Sequence, residues 1–266
     1  MTENQIRFDD GAGYERMMGI WSRLAGAVFL DWVAPPSGLR WVDIGCGNGA
    51  FTELLVERCA PAEVQGVDPS EAQLAFARTR HTAGIAQFQL GDAMALPFPD
   101  RSFDAAVMAL VIFFVPEPSK GVAEMKRVVK PGGLISAYVW DMLGEGGFPM
   151  AAMQAELRAM GRTPMLPPRA EVSRMDTLRE LWVSAGLTDV ETREITVSRT
   201  FADFDDFWAS VLIAVSMAQS IKEMSPAELE QFKARVHARL PADASGRITY
   251  TSRANAVKGR VPERLG

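Results

Sequence analysis

Residues 42–50 read VDIGCGNGA, three glycines in five positions at Gly45, Gly47 and Gly49, behind an apolar run and ahead of a helical one. Glycine lets a backbone turn sharply and pass beneath a ligand with no Cβ in the way. A strand, a glycine turn and a helix start together make a cofactor site in α/β proteins. Three carboxylates stand at matching places. Asp43 lies in the strand before the loop, and Asp68 ends the next apolar run. Asp92 follows a third, in Gly91-Asp92-Ala93. Carboxylates at strand ends accept hydrogen bonds from sugar hydroxyls or base amines.

Gly45-x-Gly47-x-x-Ala50, with Asp68 about twenty residues on, matches the dinucleotide fingerprint, in which alanine can replace the last glycine. A nucleotide-dependent oxidoreductase is therefore one reading. Asp43, Gly49 and the stretch from Gly91 to Asp104 exceed what that fingerprint needs. Cys46, inside the loop, reads as a small filler, since nothing nearby in sequence activates a thiol.

The elements that must position these residues alternate. Strands are predicted at Leu39–Ile44, Val64–Val67, Ala86–Leu90, Phe103–Val111 and Gly133–Trp140, with helices at Ala50–Cys59, after the Ser70 capping box, and at Pro118–Val129. This alternation predicts an α/β fold with a doubly wound, mostly parallel sheet. A helix over 12–34 precedes it. A helix over Thr177–Ala185, a long strand Thr188–Phe201, a capped helix from Ser225 to about Leu240 and a last strand near 246–258 follow. Residues 141–175, rich in Met, Gly and Pro, suit an irregular lid. The whole reads as one domain over 1–266, with its core at 39–140.

The 266 residues are 48% hydrophobic and carry a net charge of −5. No basic run marks a nucleic-acid surface. The N-terminal MTENQIRFDDG has no signal-like apolar core, and the run from Phe207 to Ala218 is too short to span a bilayer. A cytoplasmic chain with no membrane span is expected. Two cysteines, with His81 and His237 the only histidines, argue against a metal site.

VDIGCGNG (42–49), GVDPSEAQL (66–74), GDAMALPFPDRSFDAAV (91–107) and EMKRVVKPGG (124–133) resemble, in order and spacing, the class I S-adenosylmethionine-dependent methyltransferases, notably the small-molecule group that includes the quinone-biosynthesis enzymes. The resemblance is strong over 39–140 and faint over 141–245. It implies a seven-stranded sheet with an antiparallel edge strand at 246–258, and a lid helix at 12–34. It implies S-adenosylmethionine as cofactor and S-adenosylhomocysteine as product.

By the same resemblance, the backbone of Gly45, Cys46 and Gly47 would cradle the amino-acid end, with Asp43 placing its ammonium. Asp68 would take the ribose hydroxyls and Pro69 would lie against the adenine. Asp92, Ala93 and Met94 would meet the adenine edge, and Ala109 and Leu110 the methionine portion. From the lid helix, Tyr14 would face the cofactor and Arg23 would approach its carboxylate.

Where many members carry histidine after the fourth strand, this chain has Leu110-Val111-Ile112-Phe113-Phe114. Phe113, Phe114 and Trp140 then suggest an apolar or aromatic wall for a small-molecule acceptor. Tyr138 and Asp141, with Glu145 beyond them, are the polar candidates for catalysis. Residues 141–175 and 202–245 would cover the substrate. A non-catalytic protein that only binds S-adenosylmethionine stays open beside the oxidoreductase. Oligomeric state is not legible.

Overall fold

The computed structural model describes residues 18–82, 84–144, 147–212 and 220–263. Its sheet contains β1 (Arg40–Ile44), β2 (Glu63–Asp68), β3 (Ala86–Leu90), β4 (Phe103–Ala109), β5 (Val129–Trp140), β6 (Thr188–Phe201) and β7 (Ile248–Arg260), in the order β3-β2-β1-β4-β5-β7-β6. The first five strands are mutually parallel and β7 runs antiparallel to both its neighbours. The seven strands and the antiparallel edge expected of the sheet are therefore present, the edge as a pair of long strands. Within it, the strand expected to be last and outermost sits one place in, and β6 forms the rim.

Central strands read as continuous apolar runs because both faces are covered. Trp41, Val42, Ile44, Ala105, Ala106, Val107, Met108, Ile135, Ala137 and Val139 are all fully buried. The helices are α1 (Ile20–Val33), α2 (Ala50–Cys59), α3 (Glu71–Ala77), α4 (Pro118–Val128), α5 (Ala151–Ala159), α6 (Met175–Ser184), α7 (Phe204–Leu212) and α8 (Pro226–Arg239). Right-handed crossovers put α2 and α3 on one face and α4 on the other. α1 packs on α2, and α6 on α4 and β7.

Strand order reverses between β1 and β4, and ligands of such sheets bind beyond the carboxyl ends at that switch point. The loop after β1 and the residues after β4 meet there. The β6–β7 pair also overshoots. Trp140 ends β5 opposite Ala254, while Ile248–Arg253 continue along β6 past that end. At about 3.3 Å per residue this ribbon projects roughly 20 Å past β5.

Residues 141–175 are more regular than their composition suggested. They contain α5, whose Met153, Gln154, Glu156 and Leu157 are buried. Glu156 takes Arg235 Nε at 2.6 Å on one oxygen and Arg239 Nε on the other, pinning α5 to α8. α7 starts at the acidic run, where Asp203 Oδ1 accepts the Asp206 amide at 2.9 Å.

Candidate functional site

The glycine loop is held from beneath by β2. The Gly45 and Cys46 amides donate to the Val67 carbonyl at 2.7 and 3.1 Å. Gly45, Gly47 and Gly49 have φ of +72°, +52° and +77°, the left-handed region where a Cβ is strained. Gly45 has a second reason to be glycine, because a Cβ there would lie 2.4 Å from Val111 Cγ1. Leu110, just before that valine, is itself left-handed at φ +62°, an uncommon conformation outside glycine. Its amide donates to the Tyr138 carbonyl at 2.8 Å. The chain after β4 is thus folded tightly over the loop.

Asp68 does more than its strand-end position implied. Its Oδ2 accepts the Gly47 amide at 2.9 Å and its Oδ1 the Ser70 amide at 2.9 Å, so it clasps the loop to the start of α3. Each oxygen keeps a second lone pair for a ligand hydroxyl. Burial raises its pKa, against the two amides that lower it. Pro69 beside it is exposed, and Asp92 is exposed with Oδ1 on the Met94 amide at 2.8 Å, Ala93 lying between the two in the same turn.

Asp43 is fully buried. Thr52 Oγ1 donates to its Oδ2 at 2.6 Å, while its Oδ1 has no hydrogen-bond partner among the described residues. Burial pushes its pKa up to about 7, Thr52 pulls it down, and the Asp68 charge adds to the rise. A buried carboxylate oxygen with an unmet lone pair is a socket for a cation. The expected cofactor carries an ammonium and a sulfonium, and the residues present fit it.

Sequence reasoning missed three supports of this loop. Asn48, 2% exposed, accepts the Ala50 amide on Oδ1 at 3.2 Å. Arg80 Nε donates to the Asn48 carbonyl at 2.6 Å and Nη1 meets Glu53 Oε2 at 2.8 Å. Gln73 is buried, with Oε1 4.0 Å from where a Gly47 Cβ would stand. Polarity in a glycine loop hinted at Asn48; Arg80, thirty-two residues away in sequence, left no local signal.

Several expected residues fall elsewhere. Arg23 is turned onto α2, with Nη2 2.9 Å from Glu57 Oε2 and Nη1 3.7 Å from Glu53. Its charge is already engaged, which removes it from the cofactor carboxylate. Asp141 is not a poised base. Its Oδ2 pairs with Arg253 at 2.7 and 3.1 Å, and its Oδ1 accepts the Gly144 amide at 2.8 Å. Tyr138 is fully buried between Phe29 and Phe51, ring centroids 4.7 and 5.8 Å away, in the layer under α1 and α2.

Cys46 is buried against Gly66, and burial, its largest influence, raises its thiol pKa, as a filler requires. Ala109 ends β4, and Leu110 follows it just before the Val111 that meets Gly45. Phe113 is 3% exposed and packs edge-on to the half-buried Phe114 at 4.6 Å. Trp140, 2% exposed, is edge-on to Trp21 at 6.5 Å. Tyr14 and Glu145 lie outside the described residues. Among the described residues no cluster suits a metal ion, and no helix is long and apolar enough to cross a membrane.

The chain is similar in sequence and in fold to known proteins. A family profile described as a methyltransferase domain matches residues 42–137. The chain is 32% identical over 136 residues to the ubiquinone/menaquinone biosynthesis C-methyltransferase UbiE of Roseobacter denitrificans, covering 50% of this chain and 52% of that one. It is 35% identical over 100 residues to a fatty-acid O-methyltransferase of Mycolicibacterium smegmatis, covering 38% and 36%. The chain spans about half the length of the first curated relatives it matches. Among solved structures, the Haemonchus contortus phosphoethanolamine N-methyltransferase 2 in complex with S-adenosyl-L-methionine superposes with a TM-score of 0.58 at 18% identity, covering 98% of this chain and 59% of that one.

Proposed function

On the premise that residues 42–137 form a class I methyltransferase domain and that S-adenosylmethionine is the cofactor it takes, we propose that this chain transfers a methyl group to a small, apolar or aromatic acceptor. The observation that carries the reading is the fully buried Asp43 oxygen beside the glycine loop that no hydrogen bond among the described residues meets. A cationic ligand satisfies it. A diphosphate at the same loop would meet the charges of Asp43 and Asp68, which already repel one another, and this counts against the oxidoreductase reading.

Held there, S-adenosylmethionine would supply a methyl carbon on a positive sulfur; an acceptor's electron pair would take that carbon as the carbon–sulfur pair returned to sulfur, leaving S-adenosylhomocysteine. The chain's own work is placement. Asp43 takes the ammonium, the Gly45–Gly47 backbone passes under the amino-acid end, Asp68 takes the ribose hydroxyls through its free lone pairs, and Asp92 takes the adenine amine. Leu110 and Val111 press the methyl end from the β4 side. Orientation of this kind is worth effective molarities of about 10⁵–10⁸ M in model reactions.

With Asp141 paired to Arg253 and Tyr138 packed in the core, neither acts as general base. The reading is therefore of an acceptor that needs little proton abstraction. α5, α7, α8 and the β6–β7 ribbon cover that acceptor, and Phe114 contributes to its wall. The relatives' names include a C- and an O-methyltransferase, so the acceptor atom does not carry over from them.

Parallel calorimetric titrations with S-adenosylmethionine, S-adenosylhomocysteine and NAD test the reading. Binding of the first two and not the third is the expected result, followed by formation of S-adenosylhomocysteine on addition of acceptors to the S-adenosylmethionine complex. NAD binding alone would overturn it, and cofactor binding with no turnover on any acceptor would leave a binding protein.

A further inference from the structure

The loop after β1 has little stiffness of its own. Gly47 and Gly49 are both left-handed, at φ +52° and +77°. Glycine enters that region freely and leaves it as freely, so ordering a turn built on two of them costs much backbone entropy. A ligand that binds such a loop bears that cost unless the fold has already ordered the turn.

The segment around α3 grips the loop from both ends of that helix. Ahead of it, Asp68 Oδ2 accepts the Gly47 amide at 2.9 Å. Behind it, in the turn after Ala77, Arg80 donates from Nε to the Asn48 carbonyl at 2.6 Å. The two contacts fix the peptide units on either side of the 47–48 peptide, one through its N–H and the other through its C=O.

Arg80 is itself closely held. Its side chain is 9% exposed, and Nη1 meets Glu53 Oε2, in the first turn of α2, at 2.8 Å. Its guanidinium lies 5.4 Å from the Phe76 ring, and its Cδ is 3.2 Å from where a Gly49 Cβ would stand. One planar group thus reaches the loop with Nε and α2 with Nη1, two directions that a single ammonium does not span. A charged donor on the carbonyl of the buried Asn48 makes one of the stronger kinds of hydrogen bond.

Resting on the reading that this loop cradles the amino-acid end of S-adenosylmethionine, we propose that Arg80 is a positioning residue for the cofactor. It acts through the loop: by holding the Asn48 carbonyl it keeps the Gly47–Gly49 turn in the form that receives the amino-acid end. Without it the turn samples other conformations, and apparent affinity falls by the fraction left in the binding form. If about a tenth of the chains keep that form, the loss is about tenfold, and it falls on ligands that carry the amino-acid end. The nucleoside, held by Asp68 and Asp92, is largely spared.

The test titrates two ligands into the full chain by calorimetry: S-adenosylhomocysteine, and 5′-methylthioadenosine, which shares its nucleoside and sulfur but lacks the amino-acid end. Arg80→Met should weaken S-adenosylhomocysteine about tenfold and methylthioadenosine by less than about threefold. Arg80→Lys keeps the charge opposite Glu53 but not the second arm, so it should show the same selective loss at a smaller size, about threefold. It carries the test alone if circular dichroism shows Arg80→Met unfolded. Arg78→Met removes a positive charge two residues away, from an exposed pair with Glu71, and should leave both affinities unchanged. Equal losses for the two ligands make Arg80 a support of the fold only and overturn the proposal. Wild-type affinity for S-adenosylhomocysteine in Arg80→Lys, or a loss in Arg78→Met that matches Arg80→Met, overturns it too. A wild-type chain that binds no S-adenosylhomocysteine overturns the methyl-transfer reading as well; wild-type binding with no selective loss in the Arg80 variants overturns this inference alone.

Discussion

Asp43 makes cofactor affinity depend on pH in a way that can be worked through. Its carboxyl, wholly buried, has a pKa of about 7 in the ligand-free chain. Only the ionised form attracts an ammonium. For such a group about 1% is ionised at pH 5, about 10% at pH 6 and about half at pH 7. Affinity for S-adenosylmethionine should therefore rise ~50-fold from pH 5 to pH 7, equivalent to about 2.3 kcal/mol. An α-amino group titrates near pH ~8, above this window. At pH 5–6, binding should also release close to one proton, because the ligand's charge pulls the carboxyl to its ionised form. Calorimetry in two buffers of different protonation heat counts that proton. Asp43→Asn keeps the volume and an acceptor for Thr52 but not the titration, so its profile should be flat. If wild type and Asp43→Asn show the same slope, or no proton is released, Asp43 does not face the ammonium.

The same group governs ligand-free stability with the opposite sign. Its folded pKa is raised from 3.8 to about 7, so the fold prefers the protonated form, and stability is lost as pH rises through that interval. Urea unfolding should show wild type losing about 2.3 kcal/mol relative to Asp43→Asn between pH 5 and pH 7. Gly45→Ala should abolish cofactor binding through the clash with Val111, and adding Val111→Ala should restore it partly, leaving a left-handed backbone cost of roughly 1–2 kcal/mol; no recovery in titration would place the fault elsewhere. Arg235→Ala with Arg239→Ala should destabilise the chain by about 3 kcal/mol, because Glu156 stays buried and charged, while Glu156→Gln should cost less. Denaturant unfolding that ranks them the other way would refute this account of the α5–α8 contact. Leu110→Gly should destabilise the chain by about 2–3 kcal/mol in denaturant unfolding, because loss of its buried side chain outweighs the relief of its positive φ; a stabilised variant would refute this.

The cofactor half of the molecule was legible because its signals are local. A glycine loop, a strand-end carboxylate and a capped helix each announce themselves within a few residues, and β1 to β5 came out nearly where periodicity put them. Asp141 was misread for the opposite reason. Its partner Arg253 is 112 residues away, and a carboxylate just after a strand looks the same whether it is paired or poised. Arg23 likewise reads as a free cation until α2 is seen beneath it. α5 was hidden by the Gly and Pro around it, although Met153, Glu156 and Leu157 already had helical spacing. The place of β7 inside the pair has no sequence signature, since either order satisfies the same alternation.

That place matters to how the chain comes into being. β6 is complete at Phe201, yet among the described strands it pairs with β7 alone, which ends at Arg260. While the chain is being synthesised, the five parallel strands can assemble early, as N-terminal segments generally do. The rim strand must wait, unpaired, for almost sixty further residues before it can dock. Contacts of such long sequence separation form late and slowly. The methyl-donor half of the site can thus take shape on a partly made chain, whereas the β6–β7 ribbon closes only once β7 has been made.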